Sequence, residues 1–372
     1  MQGFAKNNAD AFVIGAGPAG LAAAISLRRA GLDVVVADAA QPAIDKACGE
    51  GLMPDAVAAL KDLGVHIGSG YGQVFHGICF RSEYSAATAH FAQGKGLGLR
   101  RTVLHNLLVD HAAALGVPIL WNTRVDVIDH GKLTANGAEW KSRWIIGADG
   151  QRSRIRQFAQ LEHPCMSQRY GFRQHFAVVP WTDCVEVYWA AEGQAYVTPT
   201  GNNEVCVALV MENKKNRMMR LSDMFPSLGA RLRGSEATSV ERGAMTICRR
   251  LPRVTRGSIA LIGEAAGSID AVTGEGMALA FKQALALGEA LSQSNLEMYE
   301  RKNRHLRRTP FTMSQLMVFL GRHPRLQSRI IQACAQDTAL FSRLMDVHLG
   351  MRSPLSISPA ILTSFGWNMV TA

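Results

Sequence analysis

An α/β fold with a parallel sheet is predicted for this chain, carrying an inserted antiparallel β-sheet and a helical C-terminal segment. Three observations support it. The apolar run Ala11 to Ile14 meets Gly15-Ala16-Gly17-Pro18-Ala19-Gly20 and then Leu21 to Leu27, the order strand, glycine turn, helix. Between Tyr170 and Val210 apolar and polar residues alternate, as in Val185-Glu186-Val187-Tyr188-Trp189, which marks an antiparallel sheet with one covered face. Beyond Glu300 the apolar spacing is mostly helical.

The glycine turn reads as the phosphate-binding loop of a Rossmann-like unit. Gly15, Gly17, Ala19 and Gly20 let the backbone approach a pyrophosphate, held at the helix N-terminus by N–H groups and the dipole. The next apolar run, Val34 to Ala37, ends at Asp38, where an acid takes a ribose 2′-hydroxyl. This suits an adenosine without a 2′-phosphate, but it does not separate FAD from NAD.

Three later motifs follow in order: Arg101 in Arg101-Thr102-Val103-Leu104, Gly147-Ala148-Asp149-Gly150 continued by Ser153 and Arg156, and Gly263-Glu264-Ala265-Ala266-Gly267. With the first loop they resemble the para-hydroxybenzoate hydroxylase superfamily of flavoproteins, which includes single-component aromatic hydroxylases, flavin-dependent halogenases and the geranylgeranyl reductases. The resemblance runs from the first strand to about Glu300. It implies one FAD, with Arg101 near the phosphates and ribityl chain. Asp149 and Gly150 would help hold the cofactor, Asp149 being also linked to nicotinamide use. Gly263 and Glu264 match the third fingerprint, except that the family usually has Asp where Glu264 stands; one methylene longer, the carboxylate can still accept from a ribityl hydroxyl. No second dinucleotide loop is visible, so NAD(P)H is expected to visit the flavin transiently, or a separate reductase to supply the electrons.

The elements between the motifs follow from periodicity. Asp45 to Pro54 is a glycine-broken loop leading into a helix from Asp55 to Leu63. Val74 to Phe80 and Thr88 to Phe91 read as strands, and Leu104 to Leu115 as a helix stopped by Gly116 and Pro118. Ile119-Leu120, Val125 to Ile128 and Trp144 to Ile146 add strands leading to Asp149, and a long helix runs from Gly276 to Leu291. The expected organisation is a discontinuous FAD-binding domain (10–72, 98–163 and 256–300), a substrate domain (73–97 and 164–255) and a helical segment (301–372).

Composition narrows the function classes. At 372 residues the chain can bury a substantial core. Seven scattered cysteines, never spaced C-x-x-C, argue for reduced thiols and against a zinc or iron–sulfur site. With no secretory signal and no apolar run of about 18 residues, a cytoplasmic enzyme is expected. The formal net charge of +10 owes much to Arg301, Lys302, Arg304, Arg307, Arg308, Arg322, Arg325 and Arg329, with no acid until Asp337. Helices packed on the flavin domain with a solvated basic face are the simplest reading. The alternative is peripheral contact with an anionic membrane, because Leu316, Met317, Phe319 and Leu320 interleave with this charge. No specific nucleic acid is expected.

Flavin carries the redox chemistry while protein supplies positioning, electrostatics and exclusion of water. Two segments are expected at the ring. Asp270-Ala271-Val272-Thr273-Gly274-Glu275-Gly276 opens the long helix, so Gly274, Glu275 and Gly276 could face the N1–C2=O edge and stabilise negative charge there. Cys48-Gly49-Glu50-Gly51 resembles the Cys-Gly segment that geranylgeranyl reductases place by the flavin; Cys48 is equally readable as a small packing residue. No general acid or base is assigned, since His175, Tyr188, Trp189 and Tyr196 lie on the predicted sheet, where aromatics are more often core.

The favoured activity is a monooxygenase, because Gly96-Leu97-Gly98-Leu99-Arg100-Arg101 and the full Asp149 motif resemble bacterial single-component enzymes. Such an enzyme uses a flavin hydroperoxide on a small hydrophobic substrate: aromatic, phenolic or polyketide-like, with or without a lipid tail. Reduction of prenyl double bonds is the alternative, on the Cys48 loop and Thr273-Gly274-Glu275-Gly276. Halogenation ranks third, since the Trp-x-Trp-x-Ile-Pro signature is missing. A basic flavin-bearing or nucleic-acid-binding module is the non-enzymatic reading; it lacks interleaved aromatic and basic residues on a recognisable fold.

Overall fold

The computed structural model describes residues 7–83, 85–129, 132–213 and 221–353. β1 (Asn8–Ile14), α1 (Pro18–Arg29) and β2 (Val34–Ala37) open the chain, with Pro18 in the first turn of α1, where its missing N–H costs nothing. β3 (Gly51–Leu52), α2 (Pro54–Asp62), β4 (Gln73–Phe75), β5 (Gly77–Arg81), β6 (Ala86–His90) and β7 (Gly96–Gly98) precede α3 (Arg101–Ala114). Then come β8 (Ile119–Leu120), β9 (Val125–Asp129), β10 (Lys132–Ala135), β11 (Ala138–Gly147) and α4 (Arg154–Phe158). The sequence reading missed β10, which pairs with both β9 and β11.

The second half supplies β12 (Ser167–Ala177), β13 (Cys184–Ala190), β14 (Gly193–Gly201), β15 (Glu204–Met211), α5 (Leu221–Met224), α6 (Pro226–Arg231), β16 (Glu236–Ala237) and β17 (Arg242–Cys248). β18 (Thr255–Arg256) and β19 (Ile259–Leu261) return to the first sheet, followed by α7 (Gly276–Ser292), α8 (Leu296–Leu306), α9 (Arg308–Gly321), α10 (Pro324–Gln336) and α11 (Thr338–His348).

The first sheet has the order β18-β19-β11-β1-β2-β8, parallel from β19 through β8, with β9 and β10 added antiparallel beside β11. Its register is what builds the site. Ile14 pairs with Ala37 on one side and Gly147 on the other, and Gly147 pairs with Leu261. The residues just beyond these positions therefore emerge along one carboxyl edge, where open α/β sheets bind ligands.

The second sheet runs β16-β12-β15-β14-β13-β5-β6, with β17 also paired to β12. Two expectations change here. The sheet is mixed, since β13 lies parallel to β5. It is also covered on both faces, not one: Val185, Val187 and Trp189 pack against Ile331, Phe341 and Met345, whereas Tyr188 and Val197 pack against Phe225 and Leu228. The polar member of the alternation, Glu186, is wholly buried and accepts from Arg81 Nε, Trp181 Nε1 and Tyr188 Oη, each at 2.7 Å. A buried carboxylate persists only with such partners.

A three-stranded sheet, β3-β7-β4, brings together segments on both sides of the expected domain boundary at residues 97 and 98. The C-terminal helices also depart from expectation. Among the described residues of these helices, those of α8 pack on the first core, through Tyr299, whose hydroxyl donates to the Leu261 carbonyl at 2.7 Å. Instead, α10 and α11 cover β6 and the aromatic cluster of the second sheet. The rest of the expected helical segment, 354–372, lies outside the described residues.

Candidate functional site

Gly15 leaves β1 with φ +110°, and a Cβ there would stand 2.4 Å from the Ala148 carbonyl oxygen, so two sheet strands meet where only glycine fits. Gly17 is the opposite case. It is extended, at φ −69° and ψ 174°, and a Cβ on it meets nothing within 4 Å. No side chain caps α1 at Gly17, which leaves its first N–H groups open to an anion.

Asp38 is engaged with the loop itself: Oδ2 accepts from Ala16 N–H at 2.7 Å and Oδ1 from Ala40 N–H at 2.8 Å. Each oxygen keeps a lone pair for a ribose hydroxyl, but positioning the glycine loop is its first role. His105, which sequence reasoning missed, sits on α3 with Nε2 2.9 Å from the Ala16 carbonyl. Burial pushes its imidazole below the usual range, so the neutral ring donates to that oxygen.

Asp149 follows β11. Its Oδ2 accepts from Arg154 N–H at 2.7 Å and Ile155 N–H at 3.2 Å, while Oδ1 is buried without a partner. Arg156, also buried, joins this motif to the third by donating to the Gln151 carbonyl at 2.8 Å and the Ala265 carbonyl at 3.2 Å. Gly263 stands at φ +61°, its N–H donating to Gln283 Oε1 at 2.9 Å, and exposed Glu264 faces the same cleft: a Cβ on Gly150 would lie 3.8 Å from Glu264 Oε2. Arg101 opens α3 with a buried Nε that has no partner.

The orphaned Asp149 Oδ1, the orphaned Arg101 Nε and the open approach at Gly17 fit an FAD laid along the carboxyl edge. Asp149→Ala should weaken FAD binding about tenfold to a hundredfold, the loss of one charge-assisted hydrogen bond, as read by flavin titration of the apoprotein. Glu264→Asp should bind FAD like the parent.

The turn Ala271–Thr273 precedes α7 and is fastened to the second sheet. Buried Asp270 caps it through Val272 N–H at 3.0 Å, and Arg169 Nη1 of β12 donates to the same Oδ1 at 3.0 Å. Tyr196 of β14 donates to the Val272 carbonyl at 2.9 Å, and Arg169 also donates to Gln194 Oε1. Gly274 is exposed at φ +68°, but its N–H is turned to the Ala271 carbonyl at 3.1 Å. The first bond of α7 is Leu279 N–H to Glu275, so the amides of Gly276, Met277 and Ala278 are left at the helix start, with Gly276 the exposed one.

The expectation at Glu275 concerns its backbone N–H; its side chain turns away from the open side. Its carboxyl is buried, turned to α11, with Oε2 3.7 Å from His348 Nε2 and no hydrogen-bond partner for that oxygen. Burial, reinforced by the charge of Asp55 and opposed by Lys282, raises Glu275 to about 8, while burial lowers His348 to about 4. Lys282 and Asp55 pair at 2.6 Å nearby. From the ordinary carboxylate range up to that raised value the unfolded chain has released a proton that folded Glu275 retains. Its contribution to stability is therefore lost as pH rises through this window. His348 works in the opposite sense over the lower part of this window, its contribution being lost as pH falls from the ordinary histidine range toward 4, so the Glu275 loss is read most cleanly above that range. Glu275→Gln should remove a few degrees of the parent's fall in thermal midpoint between about pH 6 and pH 8.

The Cys48 loop rests on a buried network. Glu50, at φ +58°, accepts from Arg101 N–H at 3.0 Å and His175 Nε2 at 2.6 Å, and Arg173 Nε lies 3.6 Å away. Arg173 reaches on to Asp45, which also holds Arg242 Nε at 3.1 Å. Burial raises the Cys48 thiol and Arg101 beside it lowers it. Glu50, His175 and Cys206 hold their ligating atoms within 4.8 Å of one another, the one such group among the described residues. Burial keeps the Cys206 thiol protonated, and Glu50 is already spent on His175 and Arg101, so the cluster serves as a hydrogen-bonded brace. Nothing in local spacing announced Glu50, Arg169 or Arg173, whose partners lie far away in the chain.

Known proteins resemble the chain in sequence. The chain is 26% identical over 302 residues to digeranylgeranylglycerophospholipid reductase 1 of Methanopyrus kandleri, covering 72% of this chain and 76% of that one. It is 29% identical over 334 residues to menaquinone reductase of Mycolicibacterium smegmatis, 79% of each. With the putative FAD-dependent monooxygenase YetM of Bacillus subtilis it shares 24% over 330 residues, 75% of this chain and 83% of that one. In fold it is similar to a flavoprotein/dehydrogenase from Cytophaga hutchinsonii, with a TM-score of 0.79 at 20% identity over 92% and 93% of the two chains. Residues 8–297 match the FAD binding domain family, and the chain, with three of its motifs at one sheet edge, belongs to that family of FAD-dependent oxidoreductases.

Proposed function

We propose that the protein is an FAD-dependent monooxygenase hydroxylating an aromatic, phenolic or polyketide-like substrate. The observation that carries this reading is the aromatic wall beside the Ala271–Thr273 turn. Val272 and Met53 belong to one apolar cluster with Val187, Trp189 and Phe341, and Phe80 packs on Trp189 at 5.9 Å and on Phe341 at 5.1 Å. Such a wall suits a flat apolar ring and excludes water from it. α10 and α11 close it from outside.

Bound FAD, reduced by NAD(P)H or a separate reductase, would supply the activation of dioxygen. The chain's own part is positional. Asp149, Arg101 and Glu264 would hold the cofactor's polar arm, Gly276 N–H would serve its ring, and the Arg169–Asp270 and Tyr196–Val272 contacts fix the Ala271–Thr273 turn against the sheet. Reduction of prenyl double bonds is the second reading, favoured by Cys48 beside Arg101 and by the names of the two reductases above.

Reduced holoprotein mixed with isotopically labelled dioxygen and candidate phenols should place one labelled oxygen atom in the product. Unlabelled product, together with anaerobic reoxidation of the flavin by a prenyl chain, would replace the first reading with the second.

A further inference from the structure

The outer face of α9 carries charge and apolar bulk that the flavin site does not use. Helical spacing places Arg308, Thr312, Leu316 and Phe319 on one stripe, and all four are exposed, Leu316 by 44% and Phe319 by 48%. The other side of the helix is occupied: Ser314 and Leu320 are buried, and Met317 and Val318 pack against the aromatic cluster. Apolar residues thus stand on both sides of α9; the described residues cover the inner ones, while on the outer side Phe319 meets the His323 ring at 4.2 Å and stays half exposed.

At the start of the stripe lies a pocket of about 200 Å³, lined by Arg250, Arg304, Arg307 and Arg308 with Pro252 and Phe311. Arg307 does not belong to a solvated face as its spacing suggests. It is buried, and donates to the Ala266 carbonyl at 3.0 Å and the Arg249 carbonyl at 3.4 Å, both neutral acceptors. Arg250 lies over the Phe311 ring at 5.2 Å. Arg304 and Arg308 stand exposed at the rim. Glu300, the acid in the lining, turns its Oε2 to Val254 N–H at 2.9 Å and Thr255 N–H at 3.0 Å; its charge offsets part of that of the arginines and leaves the pocket net positive. Exposed Arg325 and Arg329 continue the charge past the far end, beyond Arg322, which pairs with Glu212 at 3.0 Å, and no Asp or Glu occurs between Glu300 and Asp337.

We propose that this face docks on an anionic phospholipid surface, with a headgroup phosphate in the arginine pocket and Leu316 and Phe319 in the acyl boundary. Charge complementarity selects an anionic partner. The two exposed apolar side chains select lipid over nucleic acid, since a duplex would neutralise the arginines and leave Leu316 and Phe319 in water. A second copy of this face would meet it with like charge. Docking through α9 sets the membrane about one helix diameter, roughly 10 Å, from the aromatic cluster beneath it, a short route for an apolar substrate. The inference stands independently of which reaction the flavin performs.

The test is co-sedimentation of the full-length holoprotein with vesicles of phosphatidylcholine, alone or with about a third phosphatidylglycerol. The parent should sediment only with the anionic vesicles, and less as salt rises. Arg304→Gln/Arg308→Gln should weaken binding about thirtyfold, the effect of two surface charges. Leu316→Ser/Phe319→Ser should lose the part of binding that survives high salt. All four side chains are exposed, so FAD content and thermal midpoint should stay at the parent's values, which separates lost docking from lost folding. The proposal is overturned if the parent fails to sediment with anionic vesicles or binds neutral ones equally. It is also overturned if duplex DNA binds more tightly at the same salt, or if the Leu316→Ser/Phe319→Ser protein matches the parent throughout.

Discussion

Gly17→Val is expected to yield a folded protein that purifies without its flavin. The backbone at Gly17 is extended, at φ −69° and ψ 174°, a conformation that β-branched residues adopt readily. A Cβ there touches nothing within 4 Å, so the apoprotein has room for the new side chain. That room is the approach to the pyrophosphate. Two backbone hydrogen bonds to a charged phosphate are worth about 3 to 6 kcal/mol together, so their loss should weaken FAD by more than about a hundredfold. Circular dichroism should match the parent while flavin absorbance disappears. Gly15→Val is the contrasting control, because its Cβ collides with Ala148 and the first sheet itself would have to move. Normal flavin retention in Gly17→Val would remove the pyrophosphate from this loop.

Arg169→Met should destabilise the protein by about 3 to 5 kcal/mol, because it leaves the Asp270 carboxylate buried without its partner. For a chain of this size that is a drop of about 5 to 15 °C in thermal midpoint. The consequence should reach function as well. Asp270 caps the Ala271–Thr273 turn, so a freed turn should lower turnover with FAD still bound. Arg169→Met/Asp270→Asn should recover part of the stability, since the uncompensated charge is gone. A loss below about 1 kcal/mol in the single variant would show that the pair does not fasten sheet to loop.

The four motifs were readable because each is local chemistry. A glycine held at φ +110° just before a helix start with free N–H groups, and an acid at the end of the next strand, are each specified by a short segment. Directions of side chains were less readable. Glu275 and Arg307 both lie in segments whose spacing suggests outward polar groups, yet the first turns to His348 and the second to the Ala266 carbonyl. Periodicity reports a face of a helix; it does not report which neighbour arrives to cover that face. The same gap explains the second sheet, where α6 and α11 each bury a side that alternation alone assigned to solvent or left open.

By itself, then, the order of motifs determined an FAD-binding α/β unit, because the backbone geometry that meets a dinucleotide is specified within each short segment. Only the tertiary structure decided how those segments meet. The register Ile14 to Gly147 to Leu261 aligns the ends of strands that lie far apart in the chain. Arg169 with Asp270, and Tyr196 with Val272, set the inserted sheet against the helix start. These contacts form between distant residues whose types are common everywhere in proteins, so their pairing is a property of the packed chain and leaves no trace in local spacing.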